Sequence, residues 1–267
     1  MTASLKRLNL PKSALLSSVA GAVIALAIVG SASADVLPSF TLNPSAAGLN
    51  STSTGFTADN FTVTDYAKVA LTANGSGGAN FTESGYLPVG NFQNSSGQFV
   101  NTGGLNSTYG LYFQFNGTGS QSTLTPTPTT TGAFDTLSYT LYGYNGAPAS
   151  FTPTSTTATS PITLATGGLI DGSVGFTPNP VTPTAAVVLS VNTVDKAFFV
   201  SPNPFYTQLF ENFTNTQSQV SFNEGGFTIA QGGGTGNFNQ VPEPASLALL
   251  GGGLLALGLV KSRRKAG

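Results

Sequence analysis

Apolar and polar residues alternate with a period of two in several stretches of the middle of the chain. The apolar positions that share one parity are Phe61, Val63, Ala67, Val69 and Leu71; Tyr109, Leu111, Phe113 and Phe115; Leu137, Tyr139 and Leu141; and Val187, Leu189 and Val191. In the first stretch Thr62, Thr64, Tyr66 and Lys68 occupy the opposite parity. Successive side chains of a strand point to opposite faces, so this pattern predicts half-buried β-strands.

Clusters of Gly, Asn, Ser and Pro separate these stretches, for example NGSGG at residues 74–78 and NGTG at residues 116–119. Such residues accept or preset turn conformations, and therefore end strands. No segment of helical length in this region shows a convincing 3.6-residue period. The pattern predicts an all-β fold, an antiparallel β-sandwich or jelly-roll ectodomain built around one core.

The N-terminus has the three parts of an export signal. It opens with basic residues, which are Lys6, Arg7 and Lys12. An apolar run over residues 14–29 follows, and Ala32 and Ala34 form a small-residue cleavage site. The pattern predicts a signal peptide over residues 1–34 that is cleaved after Ala34. The alternative interpretation is an uncleaved N-terminal membrane anchor.

The C-terminus combines a proline-rich triplet, an apolar run and a basic cluster. The triplet is Pro242, Glu243 and Pro244, and its prolines resist helix formation. The following sixteen uncharged residues, 245–260, would span about 24 Å as a helix, which predicts a short membrane helix. The basic residues that close the chain are Lys261, Arg263, Arg264 and Lys265. Their charge predicts that this end stays in the cytoplasm.

These three elements, in this order, resemble the PEP-CTERM sorting signal of Gram-negative bacteria. In that family the triplet is associated with processing by exosortase, an integral-membrane transpeptidase-like enzyme. Proteins that carry the signal are associated with exopolysaccharide and biofilm matrix. The resemblance implies an exported protein that is an inner-membrane intermediate before it reaches the cell surface or the extracellular matrix.

The expected organisation has four parts. A signal peptide over residues 1–34 precedes a β-sandwich ectodomain over residues 35–230. A Gly/Asn-rich linker over residues 231–240, with the sequence QGGGTGNFNQ, then acts as a flexible tether. The sorting signal occupies residues 241–267.

The charge distribution excludes one class of partner. Seven of the nine basic residues lie in the two terminal signals, and only Lys68 and Lys196 lie between residues 35 and 241. Nine acidic residues share that region, which gives the ectodomain a formal charge of about −7. Nucleic-acid binding requires clustered Lys and Arg, so no nucleic acid is expected as a partner.

The composition also limits the chemistry of the ectodomain. There is no His, Cys or Trp, which removes the commonest general base and rules out thiol catalysis and disulfides. The available acids are Asp35, Asp59, Asp65, Glu83, Asp135, Asp171, Asp195, Glu211 and Glu224. None lies in a dense catalytic constellation or a regular calcium-binding loop. No enzyme activity, cofactor or metal is therefore expected. A glycan-active enzyme would need two carboxylates that converge in a cleft.

Aromatic residues among the polar ones offer a way to contact sugar rings. The candidates lie beside or opposite the apolar face of their strands, and they are Tyr86, Tyr112, Tyr142 and Tyr144. The alternative is that they are ordinary core or edge residues, as most aromatic residues of strands are.

Five segments of the ectodomain carry a second resemblance, and they are FTLNPSAAG (40–48), FTADNFTVTDY (56–66), STYGLYFQFNGTG (107–119), GAFDTLSYTLYGY (132–144) and AFFVSPNPFYTQLF (197–210). With these segments the ectodomain resembles the flocculation-associated PEP-CTERM proteins of floc-forming bacteria. The resemblance implies a surface protein needed for cells to aggregate in exopolysaccharide, and it supplies no catalytic residues. The expected partners are exosortase, extracellular polysaccharide and, transiently, the inner membrane. Self-association through strand edges and a structural role without a specific ligand remain alternatives.

Overall fold

The computed structural model describes residues 37–178 and 180–238. These residues form fifteen β-strands and two short 3₁₀ helices, Ser45–Ala47 and Gln217–Gln219. The strands are β1 (Phe40–Leu42), β2 (Phe56–Ala58), β3 (Asn60–Ala73), β4 (Ala79–Gln93), β5 (Tyr109–Gln121), β6 (Thr131–Asn145), β7 (Phe151–Thr152), β8 (Ser155–Thr156), β9 (Ile162–Phe176), β10 (Pro183–Ser190), β11 (Asn192–Thr193), β12 (Phe199–Ser201), β13 (Gln208–Thr214), β14 (Val220–Asn223) and β15 (Gly226–Phe238).

Eight strands form a closed antiparallel barrel. β3, β4, β5, β6, β9, β10, β13 and β15 pair in chain order, and β15 returns to pair with β3. Each barrel strand therefore has two neighbours, as in up-and-down barrels. The all-β class expected from the alternation is confirmed. The sandwich or jelly roll is not, because the sheet closes on itself instead of packing against a second sheet.

The side chains at the predicted apolar positions lie in the barrel interior. All of these positions are buried except Leu71, which is partly buried and packs against the same core. The interior of an eight-stranded barrel is just wide enough for side chains to fill it. Large aromatic residues do most of this filling here, with Phe61 and Phe113 stacked at a ring-centroid distance of 5.8 Å.

A small sheet closes one end of the barrel. It consists of β12, β1 and β2 in that order. Phe40 of β1 makes edge contacts with Phe238 and Phe92, at centroid distances of 5.2 and 6.2 Å, and Phe198 just before β12 is fully buried. The opposite end, where β3, β5, β9 and β13 finish, contains a cavity and is called the cavity end below.

The segment predicted as a flexible linker is largely part of the barrel. Residues 231–238 belong to β15, which pairs with β13 on one side and β3 on the other. Its glycines are needed for packing: a Cβ on Gly236 would lie 2.5 Å from the Phe61 ring, and one on Gly234 would lie 2.6 Å from the Phe213 ring. The large side chains of neighbouring strands fill the space that these glycines leave. A composition typical of tethers therefore forms a strand here.

Replacing Gly236 with alanine is expected to lower the free energy of unfolding by about 1–3 kcal/mol, because the added methyl overpacks the core against Phe61. Gly233 on the same strand is the matched control, since a Cβ there meets only the Thr214 carbonyl at an ordinary 3.6 Å. Denaturant unfolding of the two purified variants and the native protein measures the difference. Equal stability of Gly236→Ala and Gly233→Ala would indicate that the segment is a tether after all.

The terminal signals lie outside the described residues. These include the predicted signal peptide with Ala32 and Ala34, the triplet at residues 242–244, the apolar run and the basic cluster. Among the residues that are described, no helix has the length and hydropathy of a membrane span.

Candidate functional site

A group of aromatic side chains lies on the outside of the barrel, across four neighbouring strands. The aromatic row consists of Tyr66 on β3, Tyr86 on β4, Tyr112 on β5, Tyr142 and Tyr144 on β6, and Phe151 on β7. Strand register places these residues together: Tyr66 is directly opposite Tyr86, and Tyr112 is directly opposite Tyr142. Adjacent strands are about 4.8 Å apart, so the row extends over roughly 14 Å.

The rings of the row are in mutual contact. Tyr112 is at its centre, with ring-centroid distances of 5.3 Å to Tyr142, 6.0 Å to Tyr144 and 6.2 Å to Tyr86. Phe151 lies 5.4 Å from Tyr112 and 6.3 Å from Tyr66, and thereby links the two sides of the row. Such tilted ring pairs are the geometry that aromatic quadrupoles favour.

The β7–β8 hairpin divides the row into a covered and an accessible part. Tyr112 and Tyr144 are each 3% exposed, and the backbone N–H of Ala149, just before the hairpin, donates a hydrogen bond of 3.0 Å to the Tyr144 hydroxyl. The other four members are partly exposed: Tyr66, Tyr86, Tyr142 and Phe151. The four tyrosines proposed from the sequence are thus brought together, but only Tyr86 and Tyr142 of them are accessible.

Tyr112, at the centre of the row, remains uncharged over the physiological pH range. Burial, reinforced by the neighbouring tyrosines, raises the pKa of Tyr112 to about 12. A neutral platform of this kind suits a neutral ligand with an apolar face.

A strip of amide and hydroxyl groups borders the aromatic row on β5 and β6. Gln114 lies directly opposite Tyr86 on one side and Thr140 on the other, which joins the strip to the row. Further along, Ser138 Oγ donates to Asn116 Oδ1 at 3.2 Å, and the hydroxyls of Thr118 and Thr136 are 2.8 Å apart. The members of this polar strip are Gln114, Asn116, Thr118, Thr136, Ser138 and Thr140. An aromatic platform thus adjoins donors and acceptors on one face.

A second polar site lies inside the barrel. Asp65 on β3, Glu83 on β4 and Glu211 on β13 line the cavity at the cavity end, together with Gln121 and Asn215. The lone basic residues of the ectodomain, Lys68 and Lys196, are exposed and do not line this cavity.

Burial dominates the electrostatics of this interior site. It raises the pKa of Asp65 to about 7, and it raises the pKa of Glu83 and Glu211 to about 8, with a further contribution from the charge of Asp65. Burial and then the charge of Glu211 also raise the pKa of Tyr139, whose hydroxyl donates to the Ser190 carbonyl at 3.0 Å. Carboxyls without a cationic partner in an apolar interior favour the protonated form.

The interior carboxyls did not emerge from the sequence as a group, although a signal for them exists. Asp65 has the same parity as its buried neighbours Val63 and Ala67, and Glu211 has the same parity as Leu209 and Phe213. An acidic residue at an inward position of a strand is buried unless the strand is at an edge. No group of three or more His, Cys, Asp or Glu among the described residues is arranged to hold a metal ion.

The C-terminus matches the family model described as the PEP-CTERM protein-sorting motif, over residues 240–265. The sorting signal expected from the sequence is thus confirmed over these residues. The motif implies an exosortase-targeted protein that is exported through the membrane to the cell surface. Neither the curated proteins nor the solved structures give a match to the chain.

Proposed function

We propose that this protein is a non-enzymatic component of the cell surface or extracellular matrix that promotes cell aggregation, in flocs or biofilm, by holding exopolysaccharide. Exosortase processing at the sorting signal releases it from a transient inner-membrane intermediate. The aromatic row and the polar strip beside it form the surface that contacts the polysaccharide.

The observation that carries this proposal is the combination of the aromatic row with the polar strip. A sugar ring has an apolar C–H face that packs on an aromatic ring, and hydroxyls around its edge that require hydrogen-bond partners. Tyr86 and Tyr142 supply accessible rings, and Gln114 and Thr140 lie beside them in register. The row crosses four strands, which suits an extended chain of sugars better than a single one.

The closed barrel favours a role in glycan contact and not the assembly of several copies of the protein through their strand edges. Each of the eight barrel strands is paired on both sides, so the barrel offers no free edge to a second copy. The peripheral strands β2, β12 and β14 are only three or four residues long. Short edges of this kind are poor templates for pairing with another chain.

The position of the carboxyls supports a non-enzymatic role. Asp65, Glu83 and Glu211 line a cavity of about 60 Å³ in the barrel interior. That is space for about five waters, at roughly 10–15 Å³ for each. Two linked sugar rings do not fit in this space, so these acids are not placed to cleave a glycosidic bond.

A structural role without a specific ligand is the second candidate. The observation that favours it is the burial of Tyr112 and Tyr144 beneath the β7–β8 hairpin. In that case the row serves to pack the hairpin on the barrel, and the matrix role follows from the size and polarity of the outer surface.

Replacing Tyr86 and Tyr142 with alanine separates these two roles. We expect the double variant of the processed protein to bind purified matrix polysaccharide at least about tenfold more weakly, because two accessible stacking platforms are lost. Co-sedimentation over a range of polysaccharide concentrations measures the affinity.

The matched control is Phe99→Ala, which removes an aromatic ring that is 74% exposed and lies outside the row. It should bind like the native protein. Unchanged binding by a folded Tyr86→Ala/Tyr142→Ala variant would exclude the row as the contact surface and favour the structural role.

A further inference from the structure

We propose that the cavity at the cavity end of the barrel is a binding site for a small alkylammonium ion, with Asp65 and Glu211 as the carboxyls at the cationic head and phenylalanine rings around the alkyl part. This site is separate from the aromatic row, which lies on the outer face of the same barrel. It adds a second ligand class to the polysaccharide of the proposed function and does not depend on it.

The carboxyls enter the cavity from separate strands. Asp65 comes from β3, Glu83 from β4 and Glu211 from β13, and all three line one cavity. Two glycines of β15 make room for them: Gly232 is opposite Asp65, and Gly236 is opposite Glu211. A Cβ on either glycine would lie about 3 Å from the acidic side chain.

The cavity also contains unused acceptors. Asp65 Oδ1, Glu211 Oε1 and Asn215 Oδ1 are buried and have no hydrogen-bond partner among the described residues. These three side chains are only 4, 2 and 8% exposed. Asn215 is not acidic, and it is held in place by a bond of 3.1 Å from its Nδ2 to the Pro183 carbonyl. Unpartnered buried acceptors are rare, and here they line a space that can hold a donor.

The charge and lining of the cavity identify the class of ligand. The titratable groups that line it are Asp65, Glu83 and Glu211, with Tyr139 on β6, and no basic residue is among them. A bound cation would therefore stabilise the ionised form of these carboxyls. Phe81, Phe134, Phe176 and Phe227 also line the cavity, and aromatic faces attract ammonium groups while their rings accommodate alkyl carbons.

The size of the cavity limits the ligand to a few atoms. Space for about five waters corresponds to a ligand of roughly six non-hydrogen atoms, such as a short aliphatic amine or diamine. A bare metal ion fits less well, because no three carboxyls of the described residues are arranged to coordinate one.

Titration calorimetry of the processed protein with diaminobutane, n-butylammonium and butanediol tests this site. We expect saturable binding of at least one amine and none of butanediol, which has the same shape as diaminobutane without the charge. Because burial raises the pKa of these carboxyls to about 7–8, a bound cation should also ionise them and release protons near pH 7.5. Repeating the titration in buffers of different ionisation enthalpy counts those protons.

Two variants complete the test. Glu211→Gln should weaken amine binding at least about tenfold, whereas Glu224→Gln, which alters an exposed acid outside the cavity, should bind like the native protein. Asp65→Asn serves the same purpose if Glu211→Gln does not fold. The proposal is overturned if neither amine binds, if butanediol binds equally well, or if Glu211→Gln and Asp65→Asn bind amine as the native protein does.

Discussion

Replacing Glu211 with glutamine is expected to raise the free energy of unfolding at about pH 8.5 by about 2 kcal/mol or more, and to leave it nearly unchanged at about pH 5. The reason is that Glu211 is 2% exposed and has no cationic partner in the cavity that it lines. At high pH the native protein must hold this carboxylate in an apolar interior. Glutamine has a similar shape and carries no charge, so it removes that penalty.

The direction of the pH dependence follows from the raised pKa values. A carboxyl has a pKa of about 4 in an unfolded chain, whereas burial raises it to about 7 for Asp65 and to about 8 for Glu83 and Glu211. Between these values the native state holds more protons than the unfolded chain. The free energy of unfolding of the native protein therefore falls as the pH rises from about 4 to about 8, and it levels off beyond that window.

Thermal unfolding between about pH 5 and pH 8.5 measures this effect, and a gain of 2 kcal/mol corresponds to roughly 4–8 °C in Tm for a domain of this size. Glu224→Gln is the control, because Glu224 is exposed and its replacement should not alter the curve. A native protein whose stability is constant or rises over this window would show that the three carboxyls are solvated and not buried.

Replacing the Pro242–Glu243–Pro244 triplet with three alanines is expected to abolish C-terminal processing. The triplet lies within the matched sorting motif, and proline disfavours helical backbone both at its own position and at the residue before it. An alanine triplet would remove this constraint on the backbone and would also remove the residues that exosortase is expected to recognise. The variant should retain its C-terminus and accumulate in the membrane fraction instead of at the surface.

Intact-mass measurement of fractionated cells, with and without exosortase, checks this result. The native protein should start near Asp35 and end near the triplet, and the alanine variant should match the mass seen in cells without exosortase. Pro161→Ala, in an exposed loop of the ectodomain, should be processed normally. Processing of the alanine variant at the native position would show that the triplet is not the recognition element.

The alternation of side chains predicted four of the eight barrel strands, β3, β5, β6 and β10, and which face of each is buried. This succeeded because the face to which a side chain points depends only on its position along its own strand. Phe61 and Val63, which are two residues apart, therefore point to the same face. Closure of the barrel could not be predicted in the same way. It depends on the pairing of β15 with β3, which joins residues more than 150 positions apart and has no local pattern.

Two other features show where local patterns mislead. The glycines of residues 231–238 match the composition of a tether, and only the neighbouring Phe61 and Phe213 side chains explain why they form a strand. The aromatic row was partly predictable, because Tyr86, Tyr112 and Tyr142 lie at outward positions. That Phe151 joins them depends on the placement of the β7–β8 hairpin, which the sequence does not determine locally.

The most direct test of the proposed function compares aggregation of cells that display the native protein with cells that display the Tyr86→Ala/Tyr142→Ala variant in equal amounts at the surface. If the aromatic row holds exopolysaccharide, the variant cells should aggregate no better than cells that lack the protein, while Phe99→Ala cells aggregate normally. Full aggregation of the variant cells, with the variant folded and exported, would contradict the account.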